Sequence, residues 1–124
     1  MQSSVISSRS ARPPDNELYD RGCDLVQAAA SIRQLAADPR AVRAVPAMLG
    51  CLEAALGELR GACTVMEQTT DLAVDAHEQH GGKARWRALA ERMRRGFANL
   101  EQALKDAEGA ATAARALAAR SLGA

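Results

Sequence analysis

The sequence predicts an all-α fold, an antiparallel three-helix bundle with two long helices forming a coiled-coil-like hairpin and a shorter N-terminal helix. Three observations carry that prediction. Of the 124 residues, 28 are Ala, the best helix former, while Leu, Ile, Val, Met and the aromatics together supply only another 28. Apolar residues recur three and four apart along two long segments. Gly81–Gly82 separates those segments, where a left-handed helix ending favours glycine. The scarcity of β-branched and aromatic side chains argues against a sheet.

The opening stretch, MQSSVISSRSARPPD, is rich in Ser and lacks the continuous apolar run of a secretion signal. Residues 1–15 therefore read as a flexible N-terminal tail, and 16–124 as a single helical-bundle domain. The first helix starts after Pro14–Asp15, with Glu17 and Asp20 near its positive N-terminal dipole. Leu18, Gly22, Leu25, Ala29, Ile32 and Ala36 form its stripe, Leu35 widens it, and the helix ends near Ala37. Asp38–Pro39 reads as an N-cap followed by proline at the first helical position. Pro46 then implies a kink, or a short helical turn before the long helix proper.

In the second helix Val42, Val45, Leu49, Leu52, Leu56, Leu59, Cys63, Met66, Thr70, Ala73, His77 and His80 keep unbroken three–four spacing. That is a heptad seam. The third helix repeats it with Trp86, Ala90, Met93, Phe97, Leu100, Leu104, Ala107, Ala111, Ala114, Ala118 and Ser121. A reversal centred near His80 places Leu56 opposite Leu104, Leu59 opposite Leu100, Cys63 opposite Phe97 and Met66 opposite Met93. On one flank Glu67 should then face Arg94, and Arg60 should face Glu101. Glu53 facing Glu108 is a like-charge exception. The other flank is apolar and small, with Met48, Ala55, Ala62, Thr69 and Ala76 on one helix and Leu89, Gly96, Ala103, Ala110 and Leu117 on the other. A third helix belongs there. A seam of small residues, Ala47, Gly50, Ala54, Gly57, Gly61 and Thr64, reads as lying on the opposite side and as a second contact surface.

The first helix, at about 33 Å, is too short to cover hairpin helices of about 57 Å. The distal hairpin, residues 62–100, is left with an uncovered strip comprising Ala62, Met66, Thr69, Leu89, Met93, Gly96 and Phe97. Such a strip calls for a partner. The leading functional reading is thus a small non-enzymatic interaction and assembly protein that self-associates as a homodimer or binds another helical protein.

Two alternatives come from side-chain chemistry. The stretch KARWRALAERMRRGF holds Lys83, Arg85, Arg87, Arg92, Arg94 and Arg95 against Glu91, a candidate phosphate-contacting surface for nucleic acid. His77 and His80 lie near Glu67, Asp71, Asp75 and Glu78, a candidate metal or small-ligand site. Ion pairing across the turn is the competing account of those carboxylates. No P-loop, nucleophile elbow, zinc-helix motif or paired-cysteine motif is present, so no cofactor is expected.

Sixteen basic residues, fourteen of them Arg, balance fifteen acidic ones to a net charge of +1, so no global field draws the chain to nucleic acid or membrane. Cys23, Cys51 and Cys63 are odd in number and widely spaced, as expected of reduced thiols in a cytoplasmic protein.

Overall fold

A computed structural model describes residues 13–79 and 84–122; the side chains of 77–79 and of 84–85 also lie outside the description. Among the described residues the chain is all-α. It comprises α1 (Pro14–Ala36), a 3₁₀ segment (Pro39–Ala44), α2 (Val45–Gln79) and α3 (Ala84–Ser121), with no strand. It divides into two units, one ending at Val42 and the other starting at Arg43.

In the first unit, α1 begins with a proline in its first turn, where a missing N–H costs nothing. The Pro13 carbonyl accepts the Asn16 and Glu17 amides at 3.1 and 3.3 Å. Asp15 and Glu17 sit in the first turn and Arg33 in the last, each favourable to the dipole. The helix closes as the Asp38 amide donates to the Leu35 carbonyl at 3.2 Å. No residue of α1 is buried, and Leu18, Tyr19, Leu25, Val26, Ile32 and Leu35 are all exposed.

Asp38 starts the 3₁₀ segment as the sequence predicts. Its Oδ1 accepts the Arg40 amide at 2.9 Å, and the Arg40 guanidinium grips both carboxylate oxygens. That pairing lowers the Asp38 pKa and raises that of Arg40. A short turn thus precedes the long helix, and Pro46 is buried in the first turn of α2 rather than inside a helix.

The second unit is a hairpin of α2 and α3, and its interior is thin. Cys63, Val74, Ala90 and Ala111 are its buried hydrophobic residues, at 2–6% exposure. Among the described residues no large side chain is fully buried.

Two expectations need correction. On α2 the covered line runs through Leu49, Glu53, Leu56, Arg60, Cys63, Glu67, Thr70 and Val74. Leu49, Leu56, Cys63 and Thr70 are shared with the predicted seam, whose Leu59 and Met66 are half-buried too, but Leu52 and Ala73 lie exposed. A helix advances about 100° per residue, so including Glu53, Arg60 and Glu67 widens the contact face toward the polar side. On α3 most of the predicted seam is covered, but Leu100 is 46% exposed, Ser121 is exposed, and Glu101 lies inward in place of Leu100.

The second correction concerns register. Arg60 pairs with Glu108 rather than Glu101, and Glu53 with Arg115 rather than Glu108. Glu67 meets Glu101 rather than Arg94. Each partner lies seven residues further along α3 than predicted. Helix ends at Gln79 and Ala84 centre the reversal only one to two residues beyond His80, so they account for less than half of that offset; the ion pairs themselves fix the rest. The revised register sets Leu56 level with Ala111 and Cys63 level with Leu104.

Candidate functional site: the two flanks of the hairpin

The α2–α3 hairpin has a polar flank and an apolar flank, and they differ in how they are finished. On the polar flank, cross-helix partners form a ladder. Arg94 Nε donates to Asp71 Oδ1 at 3.0 Å. The Thr64 hydroxyl donates to Glu101 Oε1 at 2.6 Å and lies 3.2 Å from the Arg60 carbonyl of its own helix. Arg60 Nε stands 3.3 Å from Glu108 Oε2, and Arg115 reaches Glu53 Oε1 at 3.1 Å. The Thr112 hydroxyl donates to Glu53 Oε2. The shifted register removes the predicted Glu53–Glu108 clash, because each carboxylate finds an arginine. It moves the like-charge contact to Glu67 and Glu101.

That contact changes the acidity of Glu67. A hydrogen bond with Glu101 raises its pKa first of all, followed by burial and the negative charges of Glu101 and Asp71; Arg94 opposes them. Arg94 is itself held above its ordinary value by hydrogen bonding to Asp71 and by Glu91.

The stripe of small residues on α2 belongs partly to this flank, on the side of α2 opposite the apolar one. A Cβ at Gly50 would lie 3.3 Å from Arg115 Cδ, and one at Gly57 would lie 3.4 Å from Glu108 Oε1. These two glycines give the long α3 side chains room to lie against α2. Gly61 has nothing within 4 Å of that position. Beside it runs an open groove of about 510 Å³, with Gly57, Gly61 and Ala98 as small walls and Arg60, Glu67, Glu101 and Lys105 as charged edges. Sequence reasoning missed this groove. Gly57 and Gly61 in one helix opposite Ala98 in the other were its available signal.

On the apolar flank the candidate partner residues differ in exposure. Ala62, Thr69, Leu89 and Gly96 are exposed, whereas Met66, Met93 and Phe97 are half-buried. Leu100 adds to this exposed apolar surface, and Leu52 and Leu117 extend it beyond the distal half of the hairpin.

Among the candidate phosphate contacts, the described side chains differ in their partners. Arg94 is engaged by Asp71 and Glu91, and Arg95 lies 4.0 Å from Glu91. Arg87 and Arg92 are exposed, while Lys83 and the Arg85 side chain lie outside the described residues. His80 and the His77 side chain also lie outside them, so the metal or small-ligand reading falls there. Among the described residues no group of three or more His, Cys, Asp or Glu side chains is arranged to hold a metal ion. Cys23, Cys51 and Cys63 are free thiols, respectively half-buried, exposed and buried. No described helix is long and apolar enough to cross a membrane.

No family model matches the chain, and no curated protein or solved structure does either. The functional reading therefore rests on the two flanks.

Proposed function

We propose that this chain is a non-enzymatic helical assembly protein that dimerises through the apolar flank of its hairpin. One observation carries the reading: a two-helix unit with no fully buried large side chain leaves Leu52, Leu89, Leu100 and Leu117 exposed. Burying apolar area stabilises by about 25 cal/mol per Å², so covering this flank is strongly favourable. Two helices alone do not enclose such a surface.

The first unit carries an exposed apolar stripe of its own on α1, with Leu18, Leu25, Ile32 and Leu35. At 23 residues, or about 34 Å, α1 is shorter than the 35-residue α2 at about 52 Å. The distal half of the hairpin, around Met66, Leu89, Met93 and Phe97, meets its own copy across a two-fold axis to form a local four-helix bundle. A net charge of +1 raises no electrostatic barrier to that encounter. The three free thiols suit a reducing, cytoplasmic setting.

Light scattering on the purified chain tests the proposal. The wild type should be a dimer and Met93→Glu a monomer of unchanged helicity. A wild type that remains monomeric at high micromolar concentration overturns it.

A further inference from the structure

We infer that two copies of this chain meet along the outer face of α2, antiparallel, with Glu58 of each copy accepting a hydrogen bond from Thr69 of the other. Such a pairing deepens the assembly reading above and rests on it, naming the line along which the copies touch. That line is a second three–four seam on α2, separate from the one that faces α3. Cys51, Glu58, Val65 and Leu72 recur every seven residues, and Ala55, Ala62, Thr69 and Ala76 interleave with them. All fall within about a third of the helix circumference. All are exposed, Val65 at 59% and Leu72 at 72%. An exposed heptad seam is the pattern by which one helix packs along another.

Its two polar members are also the ones left without partners. Glu53, Arg60 and Asp71 on the same helix each reach across to α3. Among the described residues Glu58 has no ion pair or hydrogen bond. The hydroxyls of Thr64, Thr70 and Thr112 each donate to the carbonyl one turn back. Among the described residues Thr69 has no such bond and no other partner.

Reversing the seam on itself fixes the alignment. With a two-fold axis between Ala62 and Val65, Ala62 faces the partner's Val65, Ala55 the partner's Leu72, and Ala76 the partner's Cys51. Each of these layers sets a larger side chain against alanine, so the helices approach closely without voids. The remaining layer sets Glu58 against the partner's Thr69, the one charge on the seam against its one hydroxyl. Sliding by a heptad in either direction places Glu58 against Ala62 or Ala76, where a covered carboxylate has no donor. A parallel pair places Glu58 beside the partner's Glu58, and like charges repel. Charge therefore selects the antiparallel alignment. The seam is about 38 Å long and, at a helix width of about 10 Å, covers roughly 380 Å² on each copy. Leu89, Met93 and Leu100 on the adjoining apolar flank widen the contact toward the roughly 800 Å² per partner of a stable interface.

Disulfide mapping on the full chain tests the alignment, with light scattering on the wild type alongside. In the parent, Cys23→Ala and Cys63→Ala leave Cys51 as the only thiol. The two copies of Cys51 then stand about 38 Å apart along the antiparallel pair, so mild oxidation should not join them. Adding Ala76→Cys should yield a covalent dimer, because each Cys51 then faces the added thiol of the other copy. Thr69→Val keeps the shape and removes the donor, so it should weaken dimerisation at least about tenfold in sedimentation, the range for a hydrogen bond to a charged group. Glu58→Leu in the same chain should restore it. A wild type that dimerises while the Ala76→Cys chain stays unjoined, or while the parent is joined through Cys51 alone, overturns the inference and leaves the assembly reading standing. Unchanged dimerisation in Thr69→Val overturns it too. A monomeric wild type ends both.

Discussion

The polar flank of the hairpin is finished within the chain, and the apolar flank is not. Along the first, Glu53, Arg60, Thr64, Glu67 and Asp71 each find a partner on α3. Along the second, Leu52, Leu89, Leu100 and Leu117 remain exposed. The difference shows how directional and non-directional forces divide the work. Ion pairs and hydroxyl bonds are weak at a surface but need particular neighbours, so they set rotation and register. Apolar burial is stronger but indifferent to which neighbour supplies it, so it can be completed by another helix or another chain.

The largest expected effect breaks the apolar side. Leu89→Lys with Leu100→Lys should weaken self-association at least about a hundredfold, judged by central interface residues. Sedimentation against concentration reads it, and circular dichroism should remain helical. The same two changes in a monomeric Met93→Glu background should leave the melting temperature nearly unchanged, since exposed positions contribute little to the folded monomer.

Next comes a test of the glycines. Gly61→Ala should stabilise the chain by up to about 1 kcal/mol, the helix-propensity difference, because no atom lies near the new Cβ. Gly57→Ala and Gly50→Ala should gain less, since Glu108 and Arg115 must move away. Denaturant melts of the three variants separate these outcomes, and equal gains would remove the glycines from the polar flank.

A smaller effect is the coupling between Arg60 and Glu108, half-exposed partners for which a double-mutant cycle should return about 0.5 kcal/mol. Cycling Arg60 against Glu101 should return about zero, and the reverse ranking would restore the register expected from the sequence.

The smallest is a slope. Glu67 has a raised pKa, so the folded chain binds its proton more tightly than the unfolded chain does. Its contribution is therefore present in acid and is lost as pH rises through the raised value. Asp38, lowered by Arg40, has the opposite sign and contributes stability that is lost as pH falls. The difference between wild type and Glu67→Gln isolates the first term: their melting temperatures should diverge as pH rises, with Gln the more stable above the titration.

Much of this was legible in the sequence because periodicity reports secondary structure directly. Three helices, the cap at Asp38 and the identity of the two flanks follow from spacing and local chemistry. Register was harder, because a heptad pattern repeats every seven residues and leaves the pairing ambiguous by that interval. Placing the reversal at His80 chose one solution; the pairs Arg60–Glu108 and Glu53–Arg115 select the next. The inward turn of Glu53, Arg60 and Glu67 was obscured by the assumption that leucines lead. In a hairpin this thin, Gly50 and Gly57 open enough space for charged side chains to enter. The Glu53–Glu108 mismatch was already the sign that the pairing needed to slide.

The ladder also has a consequence for how the chain folds. Its rungs close loops of very different length, with Asp71 and Arg94 separated by 23 residues, Thr64 and Glu101 by 37, and Glu53 and Thr112 by 59. Closing a short loop costs less entropy, so the hairpin zips outward from its turn. Each later rung then inherits the alignment of the one before it. The Asp71–Arg94 pair, closing the shortest loop, thus commits the rest of the hairpin, and undoing it requires the later rungs to open in reverse order.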